Sequence, residues 1–259
     1  MNGYADLLQA TQNPWVLFGF LSGFLSVAVF LRYVLIAGGF YVLIWKWTPG
    51  FARKIEKATP PPETLRYEFA WSALSSLIFG VFGSAGFILW EKGFTRVYLD
   101  WNQYGALYPW FSLALLMFLH DAYFYWVHRL MHVPKIFRRI HRVHHESKNP
   151  SPWAAFSFHW AEAILEAAIL PALILIVPVH PAILVIFLTT MTFLGVINHL
   201  GYEIYPRWFF RMPGNRFLIS ASNHHLHHSR VRYNYGLYFT WWDYWFGTHD
   251  SQDSAKLKS

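Results

Sequence analysis

The sequence predicts an all-α integral membrane protein, with four to five transmembrane helices capped by a cytoplasmic helical layer rich in histidine. Three observations lead there. Apolar residues make up 55% of the 259 positions and charged residues only 14%, against roughly 25% charged in soluble domains. Apolar runs recur along the chain at about the ~20 residues that one crossing needs. Histidines cluster with helical spacing at the ends of those runs.

Residues 1–13 hold no Lys or Arg, so no charged n-region precedes the first run and no cleaved signal peptide is expected. The run 14–45 is interrupted only by Arg32, with Gly38-Gly39 as the candidate break. Residues 71–90 give a second span, 104–127 a third, 160–177 a fourth and 181–200 a fifth; VPVHP turns the chain between the last two. Lys and Arg orient these spans: five lie in 46–70, six in 128–148 and seven in 201–259, together 18 of 21. Positive residues favour the cytoplasmic side, which puts those three segments there and the N-terminus outside. The alternative is that the fourth and fifth stretches form a re-entrant pair that never fully crosses. The whole chain, 1–259, reads as a single membrane-embedded domain. Residues 14–127 supply spans one to three with the cytoplasmic loop 46–70, and 120–259 the chemistry.

Composition also excludes. There is no cysteine, so disulfides, thiolate zinc sites and Cys-ligated iron–sulfur clusters are ruled out. The net charge of +7 comes with no nucleic-acid motif, and topology accounts for it; membrane lipids, not nucleic acid, are the expected neighbours. Aromatic residues at 20% suit membrane interfaces and a lipid-shaped pocket.

Six of the 14 histidines lie in residues 120–145. His128 and His132 are four apart; His141, His144 and His145 are related by three and four; His224, His227 and His228 repeat that pattern. On a helix these offsets put imidazoles on one face, within reach of a shared ion. Eight imidazoles exceed the four of a tetrahedral zinc and suit two metals in a nitrogen-rich cage. A surface His-rich tract explains one such cluster but not two copies of HxxHH about eighty residues apart. The topology places both clusters, with His159 and His199, at one membrane face. His225 lies off the shared face, and His120, His180 and His249 have no motif.

These motifs resemble the fatty acid hydroxylase/sterol desaturase superfamily of membrane di-iron oxygenases. The marks are DxxxYWxHRxxH at 121–132, HRVHH at 141–145, NHHLHH at 223–228 and the tail NYGLYFTWWDYWFGT at 234–248. PSPWAAFSFHWAE at 150–162 is similar to a segment of C5-sterol desaturases, although Trp160 stands where those enzymes carry a proline after the histidine. The resemblance implies metal ligands at His128, His132, His141, His144, His145, His224, His227 and His228, with His199 as a further one. Fatty acid hydroxylases carry a second histidine four positions after the latter. Here that place is Glu203, a candidate ligand or orienting group, with a helix-end cap as the alternative. His159 is a candidate ligand or neighbour of one, or a polar residue at a helix start. Asp121 is a candidate to accept a ring N–H and fix a tautomer; Asp243 could do the same or cap structure.

The resemblance further implies two iron ions, replaceable by zinc during purification, and hydroxylation or desaturation of a lipid (sterol, fatty acyl or related) with O2. O2 reduction needs two external electrons, and no Gly-rich dinucleotide fingerprint is present. An electron donor such as a ferredoxin, or cytochrome b5 with its reductase, is therefore expected. The basic segment Lys135, Arg138, Arg139 and Arg142 could receive it or face anionic headgroups. The expected location is a bacterial inner membrane, or endoplasmic reticulum in a eukaryote, with the metal site cytoplasmic. A membrane metal transporter would hold its ligands near the midplane, and a zinc-dependent lipid hydrolase would need an HExxH-like base. Neither feature is in the sequence.

Overall fold

The computed structural model describes residues 13–56, 58–211 and 217–250; the expectation for the first twelve residues lies outside the described residues. All five apolar stretches form helices. Asn13 opens α1 (Pro14–Phe40) by accepting the Trp15 N–H at 2.9 Å, with Pro14 at the first helical position. The helix runs straight through Gly38-Gly39 and changes to a π-helical segment at Tyr41–Lys46. There the Trp45 indole N–H donates to the Leu200 carbonyl at 2.8 Å. Phe20, Phe24, Val27, Leu31 and Leu35 form an exposed apolar face on α1, as a lipid-facing surface would.

α2 (Pro62–Glu91) packs along α1. Apart from Glu68, its buried residues are small: Ser72, Ser75, Ser76, Gly80, Ser84 and Gly86. Lipid tails are as apolar as leucine, so membrane helices gain little from burying large side chains and associate by close approach. Gly80 shows how close: a Cβ there would collide with the backbone of Ser26 on α1. At the other end of α2 the buried Glu68 carboxylate accepts from the Ser151 hydroxyl and the Ser151 N–H, which ties α2 to the loop after the second histidine cluster.

α3 (Tyr108–Met131) buries His120, Asp121, Phe124, Tyr125 and His128 on its inner face. Two short helices follow, α4 (Pro134–Phe137) and α5 (Arg142–His145), then a 3-10 turn at Pro152–Phe156. α6 (Trp160–Ile176) and α7 (Pro181–Asn198) form the last long pair. Beyond them come α8 (Ala221–Arg230) and α9 (Trp241–Trp245). The only sheet among the described residues pairs β1 (Arg53–Lys54) antiparallel with β2 (Tyr202–Glu203).

Three of these helical segments are long and apolar enough to cross a membrane: Pro14–Lys46 with 33 residues, Pro62–Glu91 with 30 and Pro181–Asn198 with 18. The other two differ for physical reasons. α6 has 17 residues, ~26 Å at 1.5 Å per residue, short of a ~30 Å hydrocarbon core. α3 has 24 but carries His120, Asp121, His128 and Arg129. Leu116 on α3, Leu173 and Ile174 on α6, and Ile183 and Phe187 on α7 make one buried cluster. Tyr33 and Ala37 on α1, Ala155 and Phe156 in the 3-10 turn and Val196 on α7 make another.

Candidate metal centre

The ends of α3 and α7 meet α5 and α8 in one layer, and nine histidines converge there in two groups. His128, His132, His141, His145 and His227 form the first; His144, His199, His224 and His228 form the second. Within each group one ring nitrogen per residue lies within 4.8 Å of all the others. All nine are histidines singled out in the sequence. Their partition differs from the single shared face expected for each cluster. His141 and His145 enter the first group while His144 enters the second; His224 and His228 enter the second while His227 enters the first. Helical geometry is the reason: residues i and i+4 are ~40° apart around the axis, whereas i+3 and i+4 are ~100° apart. Each HxxHH box therefore straddles both groups. The groups also touch, with the rings of His145 and His228 centred 4.7 Å apart.

Their hydrogen bonds set the tautomers. His128 Nδ1 lies 2.8 Å from the Tyr235 carbonyl, His227 Nδ1 2.7 Å from Tyr233, His199 Nδ1 2.8 Å from Gly195 and His144 Nδ1 3.3 Å from Ser157. A carbonyl oxygen only accepts, so Nδ1 donates in each case and Nε2 keeps a lone pair. Two of these lone pairs face one another directly, with His199 Nε2 3.1 Å from His144 Nε2; His224 Nε2 lies 2.9 Å from His199 Nε2. In the first group His128 Nε2 and His141 Nε2 are 3.1 Å apart, as are His145 Nε2 and His141 Nε2. Facing lone pairs at this distance repel unless a positive centre sits among them. Protonation is disfavoured, because burial, followed by the neighbouring imidazoles, pushes His141, His144, His145, His224 and His228 well below the ordinary histidine value. A metal ion satisfies the arrangement. Bonds of ~2.1 Å put adjacent ligand nitrogens ~3.0 Å apart and opposed ones ~4.2 Å apart, which matches the separations seen.

The remaining candidates do other work. Glu203 does not share a helix with His199: α7 ends at Asn198, and Gly201 at φ +71° turns the chain. Its carboxylate accepts instead from the N–H groups of Ser222 (3.2 Å), in the first turn of α8, and Tyr205 (3.0 Å). His159 caps α6, accepting the Ala161 N–H at 3.3 Å, and belongs to neither group. Asp121 forms no hydrogen bond with a histidine ring among the described residues; its Oδ1 accepts from the backbone of Leu237 and Tyr238 at 3.2 and 2.7 Å. Asp243 likewise accepts from Tyr235 N (2.8 Å), Gly236 N (3.0 Å) and Thr248 Oγ1 (2.7 Å). It thereby holds the loop whose Tyr235 carbonyl receives His128. His225 turns away from both groups to Glu56, 3.2 Å distant.

One residue escaped sequence reasoning. Glu162, in the first turn of α6, is buried with Oε1 2.7 Å from His141 Nδ1. Its signal was a carboxylate in the first turn of a helix whose one other charged residue is Glu166. The backbone carbonyls of Ser157, Gly195, Tyr233 and Tyr235 carry no side-chain signature at all.

An apolar cavity of about 380 Å³ lies beside this layer, lined by residues such as Phe124, Phe156, Phe158, Phe187 and Leu237. Two of its walls are the second layer of the histidine groups. The Phe124 ring is centred 5.0 Å from His128 and the Phe158 ring 5.1 Å from His144.

The class follows from comparison with known proteins: the model of the fatty acid hydroxylase family matches residues 113–248, more than half of the chain, and the chain belongs to that family. Among its curated relatives are sterol-oxidising proteins. A Delta(7)-sterol 5(6)-desaturase of Gibberella zeae is 31% identical over 158 residues, 61% of this chain and 47% of that protein. Human lathosterol oxidase is 28% identical over 176 residues, 66% and 56% of the two chains. Rat methylsterol monooxygenase 1 is 30% identical over 205 residues, 76% and 68%. The chain spans about half the length of the first two. No solved structure matches.

Proposed function

We propose that this chain is a membrane-bound di-iron oxygenase that hydroxylates or desaturates a lipid with O2 and electrons from a redox partner. The observation that carries it is the confrontation of Nε2 lone pairs, such as those of His144 and His199 3.1 Å apart, in two groups beside an apolar cavity. Imidazole nitrogen suits iron. His128, His132, His141, His145 and His227 would hold one ion, and His144, His199, His224 and His228 the other. Two irons there supply what attack on an unactivated C–H bond needs, O2 activation and hydrogen abstraction.

The chain's own residues do the rest. Glu162 and four backbone carbonyls would fix the ring orientations of His141, His128, His144, His199 and His227 for a metal. The phenylalanine-lined cavity presents a lipid to the centre and excludes water, which limits side reactions of the oxidant. Lys135, Arg138, Arg139 and Arg142 offer an acidic electron donor, a ferredoxin or cytochrome b5, a basic docking face. The whole forms one membrane-embedded domain of four or five spans, with the histidine layer cytoplasmic by the distribution of Lys and Arg. A bacterial inner membrane or endoplasmic reticulum is the setting. The family's relatives act on sterols, and a sterol or related lipid is the proposed substrate class.

Mass spectrometry of lipids from cells with the wild-type chain and with His144→Ala tests this. The expected result is one lipid class that gains an oxygen atom or loses two hydrogens only with the wild type. Identical lipid profiles in iron-replete, aerated cells would overturn the proposal.

A further inference from the structure

His120 has no motif in the sequence, and the structure places it in the wall of the apolar cavity. It lies on the buried face of α3, eight residues before His128, ~12 Å along the helix at 1.5 Å per residue. It belongs to neither histidine group. One ring nitrogen is engaged: Nδ1 is 3.0 Å from the Tyr238 hydroxyl, and the two rings stack with centroids 5.6 Å apart. Phe187 meets the same imidazole edge-on at 5.4 Å. The other nitrogen, Nε2, has no hydrogen-bond partner among the described residues, yet it is not sealed in protein as the unpaired Nδ1 atoms of His224 and His228 are. The residue is only 3% exposed, and the cavity is what it faces. Nε2 is thus a buried polar atom that a cavity occupant would satisfy.

Tyr238 decides where the ring carries its hydrogen. Its side chain is buried and does not line the cavity, and its hydroxyl has no partner besides His120 among the described residues. Were Nδ1 to carry the hydrogen, it would donate to the phenol oxygen and leave the phenol O–H without an acceptor, at the cost of a buried unpaired donor. With the phenol donating to Nδ1 both groups are satisfied, and the hydrogen of the neutral ring sits on Nε2. The cavity therefore presents an N–H donor. A hydrocarbon leaves that donor unpaired, whereas a carbonyl or hydroxyl oxygen pairs it. We infer that His120 is a binding residue for an oxygen acceptor on the lipid, held about two helical turns from His128, so that a different part of the lipid lies beside the histidine groups. This deepens the proposed function and rests on its reading of the cavity as the lipid site.

The test uses the purified full-length chain immobilised in detergent micelles, with retained lipid quantified by mass spectrometry. Cholestanone, cholestanol and cholestane form a ring series; hexadecanone, hexadecanol and hexadecane form a chain series. Retention is expressed relative to His120→Phe, which cancels partition into the micelle. In at least one series the ketone should be retained over the hydrocarbon by ~3–10-fold, as a neutral hydrogen bond allows, and the series that discriminates names the scaffold. His120→Gln, whose amide N–H reaches a similar place, should recover part of the preference. The ketone is the decisive ligand because it can only accept. Ketone and hydrocarbon retained alike in both series, or an alcohol preferred but not its ketone, would overturn the proposal. Infrared spectra of ketone retained by the wild-type chain need no variant. A carbonyl stretch below its frequency in hexadecane is expected, and an unshifted stretch overturns the donor even if His120→Phe does not fold. No turnover is involved. A chain that favours the ketone but holds no iron removes the oxygenase reading and leaves the role of His120, and an iron-loaded chain without preference does the reverse.

Discussion

The two histidine groups are built from the same boxes but are not alike. The first has five members, and its supports come from far along the chain: Tyr233 and Tyr235 in the tail, and Glu162 on α6. The second has four, with ring supports from Ser157 and Gly195 only; Nδ1 of His224 and of His228, like that of His145 in the first group, has no partner among the described residues. The first group thus has one member more and carries a carboxylate, with His128, His141 and His227 held through Nδ1 as His144 and His199 are in the second. The second group would offer a metal ion four imidazoles and the first five.

That contrast can be broken at its strongest point. His199→Ala takes the second group from four imidazoles to three, and is expected to lose one metal ion and bring oxidation to background. His132→Ala leaves the first group with four, the number a tetrahedral site uses; it should keep both ions while losing most activity. Elemental analysis of both variants decides. Equal metal loss in the two would erase the distinction between the groups.

A smaller effect is expected at Glu162. Glu162→Gln keeps the shape but weakens the hold on His141, and should lower affinity for one ion by ~10–100-fold while both positions fill at saturating iron. A chelator titration reads this, and an unchanged titration curve would detach Glu162 from the centre. Asp243→Ala strips partners from two backbone N–H groups and should destabilise the tail by ~1–3 kcal/mol for each. Its effect on metal should fall on the first group alone, through Tyr235 and His128.

Gly80→Leu probes the opposite end of the molecule. Overpacking the α1–α2 seam should cost about 1–3 kcal/mol, seen as a lower midpoint of thermal unfolding in detergent, with metal content of the folded fraction unchanged. Least affected should be Glu203→Gln: its amide oxygen still accepts from Ser222 N–H, so two ions and nearly full activity are expected. Loss of an ion in this variant would contradict its assignment as a backbone anchor.

The helices and eight of the nine histidines were legible because each leaves a periodic trace: apolar runs for the former, offsets of three and four for the latter; His199 was legible only through the family resemblance. The division of each box between two groups was less so. It depends on how α5 and α8 face each other, which is a tertiary relation. Glu203 misled because its spacing from His199 suits a helix, and only Gly201 hinted that the helix had ended. Glu162 was hidden for the converse reason, since the histidine that it holds lies 21 residues away on a different element. Asp121 and Asp243 were recognised as anchors of the site, but what they anchor is backbone, and backbone carbonyls at Tyr233 and Tyr235 have no sequence signal.

The central claim is that the two groups are two metal positions. Metal analysis of folded, gel-filtered protein expressed with iron supplementation tests it most directly, with zinc measured alongside because it binds nitrogen sites more tightly than ferrous iron. The account predicts two ions per chain, iron plus zinc together, and one per chain in His199→Ala. One ion or none in the folded wild type would contradict it.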